Sequence, residues 1–381
     1  MNDQEQFASS PAALNRAQRF AHIDAMRAFA VLLVVVGHAG LGRFVPGGSG
    51  VTIFFAISGF IITYMVIRER ERTHTFRAGR FYFRRAMKLF PPLLIVIIVP
   101  TLIYSLFASV DWWAFFAQIA FFFNWFKAQG GADVLPGSGV VWSLAIEEQF
   151  YLVFAAIWLL AYRSRKYHAI LVTLAIVSIL TSNIIRFVII GSGEPLAAER
   201  IYYSTDTRLD SISWGVLAAS LLHIWQVNGS RPSRFSQWFA SPLALIFAAL
   251  LFLGSLVLRD DWFRDTLRFP MQSIAASMVI TYGLLPGTGA TRQLFYRAST
   301  LRWVSMIGLA SYSVYLVHLP LMGLIMPFVE QWPLLLRAIT LSTFTTAAGI
   351  LAYLIIERPA LRARDRLERW YSLRTQLSNR K

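Results

Sequence analysis

The sequence predicts an all-α polytopic membrane bundle of about ten transmembrane helices, with both termini cytoplasmic. Three observations predict it. First, 56% of the 381 residues are hydrophobic and only 15% are charged, whereas soluble domains carry about 25% charged residues. Second, the apolar residues gather into runs of about 17–25 residues, the length that crosses a bilayer. Third, the 36 Lys and Arg, which exceed the 20 Asp and Glu and give a formal net charge of +16, sort by loop. A soluble enzyme of this length needs less apolar surface, and a disordered basic protein would not carry 30 Phe and 12 Trp. A nucleic-acid binder keeps its cations on a solvated face; here they alternate with apolar runs. With no Cys, a disulfide, thiolate nucleophile, acyl-cysteine or thiolate metal site is excluded.

The apolar runs lie at about 23–40, 50–67, 89–107, 142–162, 168–190, 208–226, 241–258, 270–286, 303–327 and 333–356. Residues 1–20 are polar and lack the order of a signal peptide, so the first run is expected to be a retained helix. The run from Asp111 to Phe126 is aromatic and short, which predicts a re-entrant or interfacial segment. No repeat, linker or soluble domain divides the chain. The expected organisation is a transmembrane domain over 1–360 and a basic cytoplasmic tail over 361–381. With ten crossings, loops on the N-terminal side hold 26 basic residues and the opposite loops hold six: Arg43, Lys127, Arg200, Arg259, Arg264 and Arg268. Were the 111–126 run a full crossing, the bias would vanish. The positive-inside rule therefore favours ten, and the charge becomes a signal of orientation.

Charged groups within spans are costly and mark functional candidates. In the first span, Arg27 and His38 are eleven residues apart, about 16 Å and three turns along one face. Arg27 sits toward the cytoplasm and His38 toward the far side; snorkelling and a helix-end His would explain them equally well. Ser58 and Gly59 in the second span permit close helix approach. Arg84, Arg85 and Lys88 precede Pro91-Pro92, as a phosphate site or as an ordinary anchor to anionic lipid. The strongest single feature is Trp142-Ser143-Leu144-Ala145-Ile146-Glu147-Glu148-Gln149-Phe150-Tyr151. Its carboxylates are read as starting a helix, where the dipole favours negative charge, and adjacent side chains diverge by about 100°. Arg208 and Asp210 fall on the same membrane side, while Tyr315 and His318 lie near mid-membrane. His38, Glu147, Glu148, Arg208 and Asp210 are thus placed in the outer half, and Arg27, Arg84, Arg85 and Lys88 in or near the inner half. That separation suggests an anionic donor bound from the cytoplasm and general-base chemistry toward the outside, with His as the base and a carboxylate fixing its tautomer.

In these residues the chain resembles the acyltransferase-3 family of integral membrane O-acyltransferases. The resemblance covers nearly the whole chain. It rests on Arg27-x10-His38, Phe54-Phe55-x-x-Ser58-Gly59-Phe60, the Arg84/Arg85/Lys88 cluster, Trp142-Ser143-Leu144-x-x-Glu147-x-x-Phe150-Tyr151, Arg208-Leu209-Asp210 with Gly215, Ser311-Tyr312-Ser313-x-Tyr315-Leu316-x-His318, and Glu357-Arg358-Pro359. It implies about ten spans and transfer of an acyl group, usually acetyl, from cytoplasmic acyl-CoA to a hydroxyl of an extracytoplasmic or lipid-linked glycan. It further implies that Arg27 and His38 are the essential pair and that the basic cluster holds CoA phosphates. Some relatives carry a fused hydrolase-like domain; this chain is expected to be a stand-alone form in the bacterial inner membrane.

The expected catalytic residues are His38, as base or acyl carrier, with Arg27, Glu147 and Glu148; Glu147 is expected to orient His38. Arg84, Arg85, Lys88 and Ser58 are expected to bind acetyl-CoA, and Trp142, Arg208, Asp210, Tyr315 and His318 the acceptor. Ser58, Tyr315 and Trp142 are alternative donors to an oxyanion. No metal is expected, because the six His are scattered and no zincin spacing occurs. The bilayer and a glycan or glycolipid are the expected partners, without nucleic acid. A transporter or glycan flippase is the rival class, disfavoured by the lack of visible inverted repeats.

Overall fold

In the computed structural model, which describes residues 20–227 and 233–378, a helix stands at each of the ten expected spans, and no strand occurs among the described residues. Among the described residues, seven helices are long and apolar enough to cross a membrane: Ala21–Leu41, Gly48–Thr73, Ala78–Tyr104, Ser138–Ala161, Tyr167–Ser192, Arg302–Val329 and Leu334–Tyr371. The other three expected spans fall short for distinct reasons. Pro242–Val257 is apolar but only 16 residues long. Thr205–Val227 and Arg268–Leu284 are more polar, because they are lined by protein. Thr205–Val227 packs on Gly48–Thr73 and Tyr167–Ser192, and Arg268–Leu284 packs on Pro242–Val257, Thr205–Val227 and Gly48–Thr73. A helix whose faces meet other helices need not be lipophilic, so hydropathy underrates it.

The aromatic run is broken into Trp112–Ile119 and Phe123–Ala128, with Phe121 at φ 56° between them. At 1.5 Å per residue the longer piece reaches about 12 Å, too short to cross.

Close helix approach fixes the centre of the bundle. A Cβ at Gly59 would stand 2.0 Å from the Ile212 carbonyl oxygen, and one at Gly215 would stand 2.0 Å from that of Ala56. The two glycines let helices Gly48–Thr73 and Thr205–Val227 touch backbone to backbone. Arg302–Val329 lies against both Ala21–Val36 and Leu334–Ala352, which brings the motif from Ser311 to His318 beside the first span. The outer surface carries exposed apolar side chains such as Leu160, Val188, Leu250, Phe328 and Ile339. Apolar exposure on this scale suits lipid contact.

Among the described residues, three helices contain a wide π turn: Gly37–Leu41, Leu94–Ile98 and Tyr353–Glu357. The second directly follows Pro91 and Pro92, which supply no N–H to the helix. The other two hold His38 and Glu357. The last helix continues as Arg358–Ser378 and packs on Ala78–Leu93.

Candidate active site

A cavity of about 830 Å³ opens between the Ala21–Val36, Gly48–Thr73, Ala78–Leu93, Val141–Ala161 and Arg302–Val329 helices. Its cations are Arg27, Arg85 and Lys88, and its single carboxylate is Glu147. Ser58, Ser143, Ser311, Tyr151, Tyr312 and Tyr315 add hydroxyls, and Phe54, Phe55 and Ile61 add apolar wall. Residues from five helices thus converge on one space.

The polar groups are held firmly. Glu147 accepts hydrogen bonds from Ser58 Oγ and Tyr151 Oη, each 3.0 Å long, and Ser58 and Tyr151 also bond to one another. Arg85 donates to Glu148 at 3.0 and 3.2 Å, while its guanidinium lies 3.3 Å over the Tyr151 ring. Arg27 donates to Ser311 at 3.2 Å. Ser143 donates to Tyr315 Oη at 2.8 Å, and Tyr312 Oη donates to the Leu89 carbonyl at 2.8 Å. Glu147 faces the cavity while Glu148 turns to Arg85, as the 100° divergence of adjacent helical residues requires.

His38 lies beyond this cavity, in the π turn at the end of the first span, with Gly40 at φ 106° just after it. A φ of this kind favours glycine. The side chain of His38 is exposed, but its Nδ1 faces inward. Nδ1 is 2.9 Å from the Val34 carbonyl and 3.3 Å from Nε2 of His318. Nδ1 of His318 is 2.6 Å from the Tyr315 carbonyl. Carbonyl oxygens only accept, so both Nδ1 atoms carry the hydrogen. Nε2 of His318 then accepts from His38, and Nε2 of His38 is left with a free lone pair. Tyr315 joins the two regions: its hydroxyl lines the cavity, and its ring stands 5.5 Å from that of His318, itself 5.2 Å from that of His38.

Several expectations need correction. The helix carrying Glu147 and Glu148 begins at Val141 after a turn from Ser138, so the carboxylates lie nearly two turns inside it and the helix dipole does not explain them. The split between outer carboxylates and inner cations also fails, because Glu148 pairs with Arg85. The residue beside His38 is His318, where Glu147 was expected; Glu147 is spent on Ser58 and Tyr151. Arg84 does not line the cavity. It binds Glu368 of the C-terminal helix, with its Nη2 at 2.6 Å, and Arg80 binds the same carboxylate at 3.1 Å. Trp142 is packed among Phe55, Tyr202 and Tyr203. Arg208 and Asp210 are fully buried: Arg208 donates to Thr52 at 3.0 Å and stacks on Phe269, and Asp210 pairs with Arg186 at 2.7 Å. These three do not line the cavity.

Tyr151, Ser143, Ser311 and Tyr312 line the cavity without having been given roles from sequence. A signal was available for two of them: Ser143 and Tyr151 are each one helical turn from Glu147, on its face. For Glu368, in a charge-rich tail, no such signal existed.

Residues 20–356 match a family model described as an acyltransferase domain. Among curated proteins, the chain is 28% identical over 359 residues to O-acetyltransferase OatA of Staphylococcus aureus (strain NCTC 8325 / PS 47), covering 88% of this chain and 56% of that protein. It is 27% identical over 359 residues to Peptidoglycan O-acetyltransferase OatA of Listeria monocytogenes, covering 88% and 55%. The chain thus spans about half the length of these curated relatives. No solved structure matches it.

Proposed function

The chain belongs to the acyltransferase-3 family, and from that premise we propose that it is a multi-pass O-acyltransferase of the bacterial inner membrane. In this reading it moves an acetyl group from cytoplasmic acetyl-CoA to a hydroxyl of an extracytoplasmic or lipid-linked glycan. Relatives named for O-acetylation, one of them of peptidoglycan, make a cell-envelope glycan the acceptor class. Ten crossings with both termini cytoplasmic complete the reading, because that plan alone keeps the basic bias.

The observation that carries it is the adjacency of a cation-lined cavity to a histidine pair held in one tautomer. Arg27, Arg85 and Lys88 suit the phosphates of CoA, since guanidinium and ammonium groups form short charge-assisted bonds to phosphate. The pantetheine arm then passes Phe54 and Tyr315 toward His38. Nε2 of His38 takes the proton of the acceptor hydroxyl. The oxygen forms a bond to the thioester carbonyl carbon, and Tyr315 or Ser58 donates to the oxyanion. On collapse the C–S bond breaks and the proton on Nε2 passes to the departing thiolate. The imidazolium formed in between keeps both its Nδ1 acceptors, the Val34 carbonyl and His318. An acyl-His38 intermediate uses the same free Nε2 as the nucleophile.

The test is acetyl transfer from labelled acetyl-CoA in membranes carrying His38→Ala. Activity is expected to fall by about 10²–10⁴, the usual contribution of a general base. Full retention would sink the assignment.

A further inference from the structure

A second cavity, of about 540 Å³, lies between the turn after His38 and the segment that follows the Pro242–Val257 helix. It is lined by Arg43, Arg259, Arg264 and Arg268, with Pro46 and Ser255, and by no carboxylate. These are four of the six basic residues in loops on the His38 side. The other two are neutralised elsewhere: Lys127 by Asp133 at 3.1 Å, and Arg200 by Asp206 through two bonds of 2.6 Å. The four in the cavity have little compensation. Arg264 meets Asp261 at 3.3 Å, but Asp261 is 91% exposed, so water screens the pair. Asp265 stands near Arg264 and Arg268 without lining the cavity. Among the described residues, Arg43, Arg259 and Arg268 form no ion pair within 4 Å.

Orientation does not account for this cluster, since topology depletes cations on the far side of the membrane. Four guanidiniums in one concavity repel one another unless an anion is present. Their position is built, too. Arg259 donates to the Arg43 carbonyl at 2.6 Å, tying the two walls together. Ser255 in the lining accepts from Gln272 at 3.0 Å, and Gln272 also donates to Ser49 at 2.8 Å, at the start of the second span. A Cβ on nearby Gly47 would lie 3.7 Å from Cε1 of His38. The cavity therefore sits on the same end of the bundle as the free Nε2.

We propose that this pocket binds a phosphate ester presented at the membrane surface on the His38 side. Guanidinium forks match phosphate oxygens in pairs, and four of them suit one or two phosphate groups. Two sources share this chemistry: the diphosphate that links a glycan to a polyprenyl carrier, and the headgroup of an anionic phospholipid. The first rests on the acyl-transfer reading, since it would seat the acceptor beside His38; the pocket's anion affinity does not.

The test uses the full chain in phosphatidylcholine nanodiscs, carrying Lys88→Gln so that the first cavity does not compete for the probe, titrated with inorganic pyrophosphate by calorimetry at low and high salt. In that background Arg43→Gln/Arg268→Gln is expected to weaken binding about tenfold or more, Arg43→Lys/Arg268→Lys to weaken it less, and Arg297→Gln, an exposed cation on the Ala290–Ser299 helix that lines neither cavity, to leave it unchanged. Absence of binding in the Lys88→Gln background, binding that survives Arg43→Gln/Arg268→Gln, or binding lost equally in Arg297→Gln overturns the proposal. Competition then identifies the source. Displacement by a short-chain polyprenyl diphosphate alone supports the carrier, and displacement by phosphatidylglycerol supports the headgroup; displacement by neither overturns a membrane ester. The readout is binding, so a failure of acyl transfer leaves this result standing.

Discussion

His318 offers the sharpest test of how His38 is set up for proton transfer. His318→Phe keeps a ring of similar size in a fully buried position but removes the Nε2 that accepts from His38 at 3.3 Å. The Val34 carbonyl remains at 2.9 Å, so the tautomer survives and only the ring's orientation loosens. One hydrogen bond contributes about 0.5–1.5 kcal/mol net. At about 1.4 kcal/mol per decade, turnover should fall about two- to tenfold with KM for acetyl-CoA unchanged. His38→Ala, which deletes the base, should cost far more, about 10²–10⁴. The assay is labelled acetyl transfer in membranes, normalised to folded protein by thermal melting. A loss in His318→Phe as deep as in His38→Ala would make His318 the base and refute this order of roles. Unchanged turnover would refute the orienting bond.

Other outcomes follow from the same geometry. Lys88→Gln should raise KM for acetyl-CoA while turnover holds, the signature of a group that binds ground and transition states alike; steady-state kinetics over donor concentration would show it. Asp210→Asn strands the buried Arg186 charge, at a cost of about 3–5 kcal/mol, whereas the double change Arg186→Met/Asp210→Leu should recover much of that loss; melting temperatures in detergent compare them. Gly59→Ala drives a methyl against the Ile212 carbonyl 2.0 Å away and should cost about 1–3 kcal/mol or more by overpacking, read as a lower melting temperature. Loop 163–167 should resist labelling from outside intact cells by an impermeant lysine reagent at Lys166; strong labelling would overturn the ten-crossing plan.

The C-terminal contact is a reminder that one charge cluster can serve two ends. Arg84 and Arg85 are neighbours in the chain, yet on a helix they point about 100° apart. Arg85 turns to Glu148 and the cavity; Arg84 turns to Glu368 and the tail. Sequence alone treats them as one patch.

The sequence by itself determined the helical class, the ten helix positions and the short aromatic interruption, because hydrophobic run length and loop charge are local properties that the bilayer reads directly. It also picked out Arg27, Ser58, Arg85, Lys88, Glu147 and Tyr315, all of which line one cavity, since buried ionisable groups in apolar runs are conspicuous. Tertiary structure alone decided the partners. Ser58 and Glu147 are 89 residues apart and His38 and His318 are 280 apart. Which of them meet depends on glycine-permitted helix crossings and on the rotation of each helix, to which a one-dimensional pattern is blind. The same rotations buried Arg208 and Asp210 and gathered Arg43, Arg259, Arg264 and Arg268, from loops far apart in sequence, around one cavity.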